Sequence, residues 1–182
     1  MGSHVVARLM LMGSQVRVLD NFSTGRIDNL ADAASGGLTE ADVISGDVRT
    51  PEGVEVIHQW QPDVVVHLAA QPSVPAAHRS PLYDADVNVF GTVNVLDACV
   101  RSGVRLVVNA ASSAVYGNVP TSELPVREDH PIAPVSPYGI STAAGCTIST
   151  GTDVSTACRT PRWCSATSTG PGRRAATAAW CP

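Results

Sequence analysis

Lysine is absent from this chain: all twelve of its basic residues are arginine. No step that depends on a lysine ammonium can be run by these residues alone. Aromatic residues are few, and the net charge of −4 leaves no basic surface of the kind that holds nucleic-acid phosphates. No apolar run approaches the roughly 20 residues of a membrane-spanning helix. The stretch from Val5 to Met12 is too short and too poorly flanked for a signal peptide. The opening Met1-Gly2-Ser3-His4-Val5-Val6 lacks the Ser or Thr that a myristoylation motif needs at position 6. A cytoplasmic location is expected, with no membrane and no nucleic acid among the partners. The five cysteines are an odd count, four of them in the last forty residues with no histidine among them, so their spacing matches no zinc pattern and no metal is expected.

What is present is enough apolar material, 44% of 182 residues, for one domain with a core. Residues 3–12 read as a short helix, with Val5, Val6, Leu9 and Met10 on one face. Gln15 to Leu19 reads as a strand ending at Asp20, and Asp42 to Ser45 as a strand ending at Gly46-Asp47-Val48. A helix over Glu52 to Gln61 follows. Asp63 to Leu68 reads as a strand, apolar except for Asp63 at its start and its histidine, as strands buried on both faces of a parallel sheet are. Pro81 to Ser102 carries a long helical pattern, and Arg105 to Val108 reads as a further strand. Strands alternating with helices predict an α/β fold.

The chain is organised around Asn109-Ala110-Ala111-Ser112-Ser113-Ala114-Val115-Tyr116-Gly117 and Ser136-Pro137-Tyr138-Gly139-Ile140-Ser141. The first follows a strand and the second opens a helix. A strand-end hydroxyl and a helical tyrosine can converge on one substrate oxygen, the tyrosine carrying the proton and the serine hydrogen-bonding. Taken singly, Ser112 reads as a turn cap and Tyr138 as a packed helix start.

These two segments resemble the S/T-x-x-V-Y-G and S-P-Y-x-x-S-K patterns of extended short-chain dehydrogenases/reductases. The branch is that of NAD-dependent epimerases and dehydratases, with the UDP-glucose 4-epimerases the most similar members. The resemblance covers residues 2 to about 141. It includes Asp20-Asn21-Phe22-Ser23-Thr24-Gly25, His67-Leu68-Ala69-Ala70 and Asn88-Val89-Phe90-Gly91-Thr92. It implies Ser112 and Tyr138 as catalytic residues, and it places Thr142 where the family carries a catalytic lysine. It implies NAD as cofactor and a nucleotide sugar as substrate, and family members are usually homodimers, joined through helices corresponding to 81–102 and 134–145. It implies cofactor contacts at Gly2, Asp20, Asn21, Asp47, Val48, Leu68, Ala69, Ala70, Asn88 and Tyr138. Asp20 would accept from the adenosine ribose hydroxyls and repel a 2′-phosphate; a simple turn-opening role for Asp20 stands beside this. Asp47-Val48 would meet adenine; for Asp47 a helix cap before Pro51 is the competing reading. His67 is expected to pack at its strand end.

The resemblance also implies a doubly wound parallel sheet of the Rossmann type. Gly2 matches the last glycine of the family's G-x-x-G-x-x-G, so the strand before that turn, central in the family sheet, is expected to be missing and to leave a gap in mid-sheet. The truncated dinucleotide-binding domain is expected to span 1–142. From about Ala143 the composition changes. The last forty residues hold eight Ala, eight Thr and four Ser, but no Leu, Phe, Tyr or Glu. Such residues bury too little surface to offset chain entropy, and a poorly ordered, non-family tail over 143–182 is expected. Read one base earlier, Arg162 to Thr169 can encode the family phrase Val-Val-Leu-Arg-Tyr-Phe-Asn, so an out-of-frame tail is one hypothesis, which the codons of the gene would test. Three function classes follow: an epimerase by descent that is inactive as written, a nucleotide-binding module without chemistry, and a gene remnant. A related dehydratase or reductase is a further alternative. The acid a dehydratase places after the catalytic hydroxyl is absent, since Ser113-Ala114 stands there.

Overall fold

The computed structural model describes residues 1–152, 154–157 and 174–178. In chain order the main elements are α1 (Gly2–Leu11), β1 (Gln15–Asp20), α2 (Ala31–Ser35), β2 (Val43–Ser45), α3 (Pro51–Trp60), β3 (Val64–His67), α4 (Val74–Arg79), α5 (Pro81–Ala85), α6 (Gly91–Arg101), β4 (Leu106–Asn109), α7 (Pro137–Thr150), β5 (Ser155–Ala157) and β6 (Arg174–Ala178). All six strands are parallel and lie in the order β2-β1-β6-β3-β4-β5. The α/β doubly wound class expected from the sequence is what the chain adopts.

The alternation of β1 shows why the sheet is covered on both faces. Val16 and Val18 join one buried cluster with Val6, Leu30, Ala33 and Leu38, contributed by α1 and the segment behind it. Leu19, one residue out of phase, joins the other cluster with Val54, Ile57, Val65, Val95, Leu96 and Val107 beneath α3 and α6. Each fully buried Val or Leu contributes on the order of 1.5–3 kcal/mol by leaving water. α3 is opened by Thr50, whose side chain accepts from the Gly53 N–H, with Pro51 at the first helical position. It ends at Gln61 in the left-handed conformation (φ 48°).

Three expectations are corrected here. First, no gap opens in mid-sheet: β6, from the C-terminal part of the chain, stands between β1 and β3. Second, the helical pattern over 81–102 is not one regular α-helix. Residues Asp86–Phe90 form a π-helical turn between α5 and α6. That wide turn carries Asn88, and π-turns inside helices recur at functional sites. Third, regular structure does not end near residue 142. α7 runs unbroken to Thr150 with Gly145, Cys146 and Ser149 buried, and Asn109 donates to Ser149 Oγ at 3.1 Å, tying that stretch to the end of β4. The proposed out-of-frame phrase over Arg162 to Thr169 lies outside the described residues.

Candidate functional site

In an open parallel sheet, side chains that meet a ligand gather beyond the carboxyl ends of the strands. Most of the sequence-predicted residues collect there, in two small clefts. The first joins the ends of β1 and β2 and is lined by Asp20, Asn21, Asp47, Val48, Ala69 and Val87, among others. The second joins the ends of β3 and β4 to the helices and is lined by Ala69, Ala70, Asn88, Thr92, Asn109 and Thr142, among others. Leu68, half-buried, sits between them in chain order, and Gly2 is buried as the first residue of α1. Thr142, at the position of the expected lysine, thus faces a cleft shared with Ala69, Ala70 and Asn88. A roomier cavity lies elsewhere, between α3 and α6, and holds none of the predicted residues.

Asp20 is buried at the end of β1, and its Oδ1 accepts from the Phe22 N–H at 2.8 Å. The turn-opening reading of Asp20 is therefore realised while the residue also lines the first cleft. The capping reading of Asp47 is not: Thr50 caps α3. Asp47 instead accepts four hydrogen bonds. Arg49 donates its backbone N–H (2.9 Å) and Nε (3.0 Å) to Oδ1 and its Nη2 (2.7 Å) to Oδ2, and Asn21 Nδ2 donates to Oδ2 at 3.0 Å. A carboxylate has about four acceptor positions. That of Asp47 is filled by the protein itself, and it ties the loop after β1 to the loop after β2. The Arg49 side chain holds the Asp47 carboxyl well below the usual carboxylate range, and the pair raises Arg49 in return. Arg49 also reaches Asp86 at 3.0 Å and lies over the Tyr83 ring, 5.3 Å from its centre.

A second network lies under the other cleft. Asp84 is 1% exposed. Its Oδ1 accepts from Gln71 Nε2 (2.7 Å) and Asn88 Nδ2 (3.2 Å), and its Oδ2 accepts from Ser141 Oγ (2.5 Å). Asn88 also accepts from the Gln71 N–H (2.7 Å) and donates to Ser141 Oγ (3.1 Å). The network joins the loop after β3, the π-turn and α7. Neither Arg49 nor Asp84 was singled out from sequence. The available signals were an arginine two residues past Asp47, and an acid four residues before Asn88 in an otherwise apolar helical pattern.

Ser112 Oγ accepts from the Ala114 N–H at 3.3 Å and opens the single 3-10 turn Ser113–Tyr116. Ser136 caps α7 by accepting from the Gly139 N–H at 3.1 Å. Gly139 is buried, and a Cβ there would stand 2.6 Å from the Ala114 carbonyl oxygen, so the first turn of α7 lies directly on the Ser112 turn. The fold thus brings the segments of Ser112 and half-buried Tyr138 together.

His67 is packed, 2% exposed, with Nε2 3.1 Å from Thr92 Oγ1. Thr92 donates its own hydrogen to the Asn88 carbonyl at 2.7 Å, so His67 carries its proton on Nε2 and donates it. Its Nδ1 has no partner among the described residues. Burial lowers the His67 pKa from 6.5 to about 4. Between those values the unfolded chain takes up a proton that the folded chain does not. Stability present above pH 6.5 should therefore fall by about 3 kcal/mol as pH drops toward 4. Urea unfolding of the wild type and of His67→Gln across pH 7 to 4 measures this; equal pH dependence in the two would refute it.

A parallel doubly wound sheet with an acid at the end of β1 and two clefts at the strand ends defines a dinucleotide-binding α/β fold of the Rossmann class. The sequence profile of the family described as GDP-mannose 4,6 dehydratase matches residues 1–157. The chain is 39% identical over 148 residues to the UDP-glucose 4-epimerase of Mycolicibacterium smegmatis, covering 79% of this chain and 45% of that protein. Among solved structures it resembles the Thermus thermophilus UDP-glucose 4-epimerase in complex with NAD (TM-score 0.71, 36% identity, 81% of this chain and 45% of that one). It also resembles the UDP-Glc/GlcNAc 4-epimerase of Campylobacter jejuni (TM-score 0.75, 27% identity, 82% and 45%). The chain belongs to the NAD-dependent epimerase/dehydratase family of extended short-chain dehydrogenases/reductases. It spans about 45% of the length of these relatives. Among the described residues no helix is long and apolar enough to cross a membrane, and no group of His, Cys, Asp or Glu is placed to hold a metal ion.

Proposed function

We propose that this chain is a nucleotide-binding unit of the UDP-glucose 4-epimerase type, which binds NAD but does not epimerise a nucleotide sugar as it stands. The observation that supports binding is the meeting of Asp20, Asn21, Asp47, Val48 and Ala69 in one cleft at the strand ends. The donor set suits an adenosine. Buried Asp20 is an acceptor for ribose hydroxyls and its charge opposes a 2′-phosphate. Val48 and Val87 offer apolar faces to a base. Because the Asp47 carboxylate is already filled, its part is to hold Asn21 and Arg49 in place, and a base donor reaching it would have to displace one of them. Leu68, Ala69, Ala70 and Asn88 lie toward the nicotinamide end.

When bound, NAD would supply the acceptor and return donor of hydride. The proton would belong to Tyr138 and the substrate-oxygen hydrogen bond to Ser112. Free tyrosine has a pKa of about 10 and is a poor base at neutral pH unless a nearby cation stabilises the phenolate. Thr142 supplies no charge, and no lysine exists elsewhere in the chain to replace it. We assign the protein to the cytoplasm. We expect a homodimer through the 81–101 and 137–150 helices, where Leu82, Phe90 and Ile140 are exposed.

Calorimetric titration tests the binding half. NAD should saturate the chain, NADP should bind at least tenfold more weakly, and Asp20→Ala should abolish the difference. No heat with NAD would remove this reading in favour of a remnant without function. The catalytic half predicts no turnover of UDP-glucose or UDP-galactose by the purified chain, and measurable turnover would overturn it. The same preparation should sediment as a dimer.

A further inference from the structure

Among the described residues that line the first cleft, Arg49 is the one cation, and it stands there with Asp20 and Asn21. Its guanidinium meets Asp47 as a two-pronged fork, Nε donating to Oδ1 at 3.0 Å and Nη2 to Oδ2 at 2.7 Å. A planar fork of this kind matches a phosphate as well as it matches a carboxylate. Asn21, the neighbour of Asp20 in the chain, donates to the same Oδ2 at 3.0 Å. The guanidinium therefore lies within two hydrogen-bond lengths of the loop that presents Asp20. Its other contacts are weaker. Nη1 reaches Asp86 at 3.0 Å, but the Asp86 side chain is 50% exposed, and a single ion pair at such a position contributes little. The Tyr83 ring lies beneath the guanidinium without taking a donor from it. Asp47 thus decides where the guanidinium points. The closed Asp47–Arg49 pair is neutral as a whole. Opening it leaves a full positive charge and a free fork at the edge of the cleft.

We propose that Arg49 is a latent ligand for a 2′-phosphate, sequestered by Asp47, and that the choice of NAD over NADP is held in two layers: repulsion by Asp20, and withdrawal of the one arginine that would pair with the added phosphate. The proposal rests on reading the first cleft as the adenosine site. With Asp20 removed, the closed pair neither attracts nor repels a 2′-phosphate, and the two cofactors bind alike. The second layer is then exposed. Asp47→Asn keeps the volume and one acceptor oxygen but takes away the charge and one prong of the fork. Against the remaining contact to half-exposed Asp86, a phosphate offers Arg49 the better partner, since it accepts both prongs and carries more charge.

The test titrates NAD and NADP by calorimetry into the full chain carrying Asp20→Ala, then Asp20→Ala with Asp47→Asn, then both of these with Arg49→Gln. NADP should match NAD in the first protein, bind about tenfold more tightly than NAD in the second, and return to parity in the third. Asp47→Ser also removes the fork while leaving an acceptor, and it takes the place of Asp47→Asn if urea unfolding shows that the asparagine protein does not fold. Labelling of Arg49 by phenylglyoxal, read by peptide mass spectrometry, follows the sequestration without any cofactor, and it should run roughly fivefold faster in Asp47→Asn than in the wild type. A preference for NADP that persists without Arg49 overturns the proposal, because loss of the Asp47 charge alone would then explain it. Parity in the second protein, or equal labelling rates, overturns it also and leaves the adenosine reading standing as long as NAD still saturates the chain. If neither cofactor gives heat with any of the proteins, the adenosine reading fails and the proposal falls with it.

Discussion

Replacing Asp84 with alanine is expected to destabilise the chain by about 3–5 kcal/mol, although the residue itself lines neither cleft. Its two carboxyl oxygens receive Gln71 Nε2, Asn88 Nδ2 and Ser141 Oγ in a buried setting. Removing the acceptor takes one partner from each of three buried donors, which keep the Ser73, Gln71 and Tyr138 carbonyls respectively, and each lost bond costs roughly 0.5–3 kcal/mol, with less than full additivity inside one network. A cavity adds to this. Asp84→Asn keeps the volume and one acceptor oxygen, so a smaller loss of about 1–2 kcal/mol is expected from it. Urea midpoints at unchanged slope give both values. If the two variants stay within about 0.5 kcal/mol of wild type, the network is not what holds α7 against the π-turn. The functional consequence would follow from place: Ser141 lies between Tyr138 and Thr142 on α7, so loosening it loosens both.

Gly53→Ala should be comparably damaging for a different reason. A Cβ at this position would stand 1.8 Å from the carbonyl oxygen of Asp47 and 2.8 Å from its nitrogen. Both obstacles are backbone, so they cannot swing aside as a long side chain can. The loop after β2 must move away from α3, and with it the carboxylate that receives Arg49 and Asn21. We expect a loss of at least about 3 kcal/mol and at least a tenfold weaker hold on NAD. Gly151→Ala is the control: its nearest obstacle is the Ile148 carbonyl at 3.6 Å, an ordinary contact, and the change should stay within about 0.5 kcal/mol. A Gly53→Ala protein as stable as this control would mean that α3 does not approach the loop so closely.

The elements were legible because their signals are local. The uninterrupted Val64-Val65-Val66 run, the Pro51-Glu52 helix start and the alternation around Val16 and Val18 each decide a conformation within a few residues. The resemblance extended this to the clefts, and the structure gathers Asp20, Asn21, Asp47, Val48 and Ala69 in one of them and Ala70, Asn88 and Thr142 in the other. What composition misjudged was the second half of α7. Ala143, Ala144 and Gly145 look like the start of an unstructured tail. Yet a helix already begun at Ser136 needs one bond per added residue, and the burial of Cys146 and Ser149 sustains it.

By itself the chain of residues determined the parallel α/β class, the acid at the end of β1 and the want of any lysine beside the candidate tyrosine, since each depends on residue type and short-range period alone. Only the folded molecule decided that Asp47 is filled by Arg49 and Asn21, that Asp84 anchors Ser141 from 57 positions away, and that β6 takes the centre of the sheet. Those are pairings between distant segments, and their energy exists only once the intervening chain has been closed into loops.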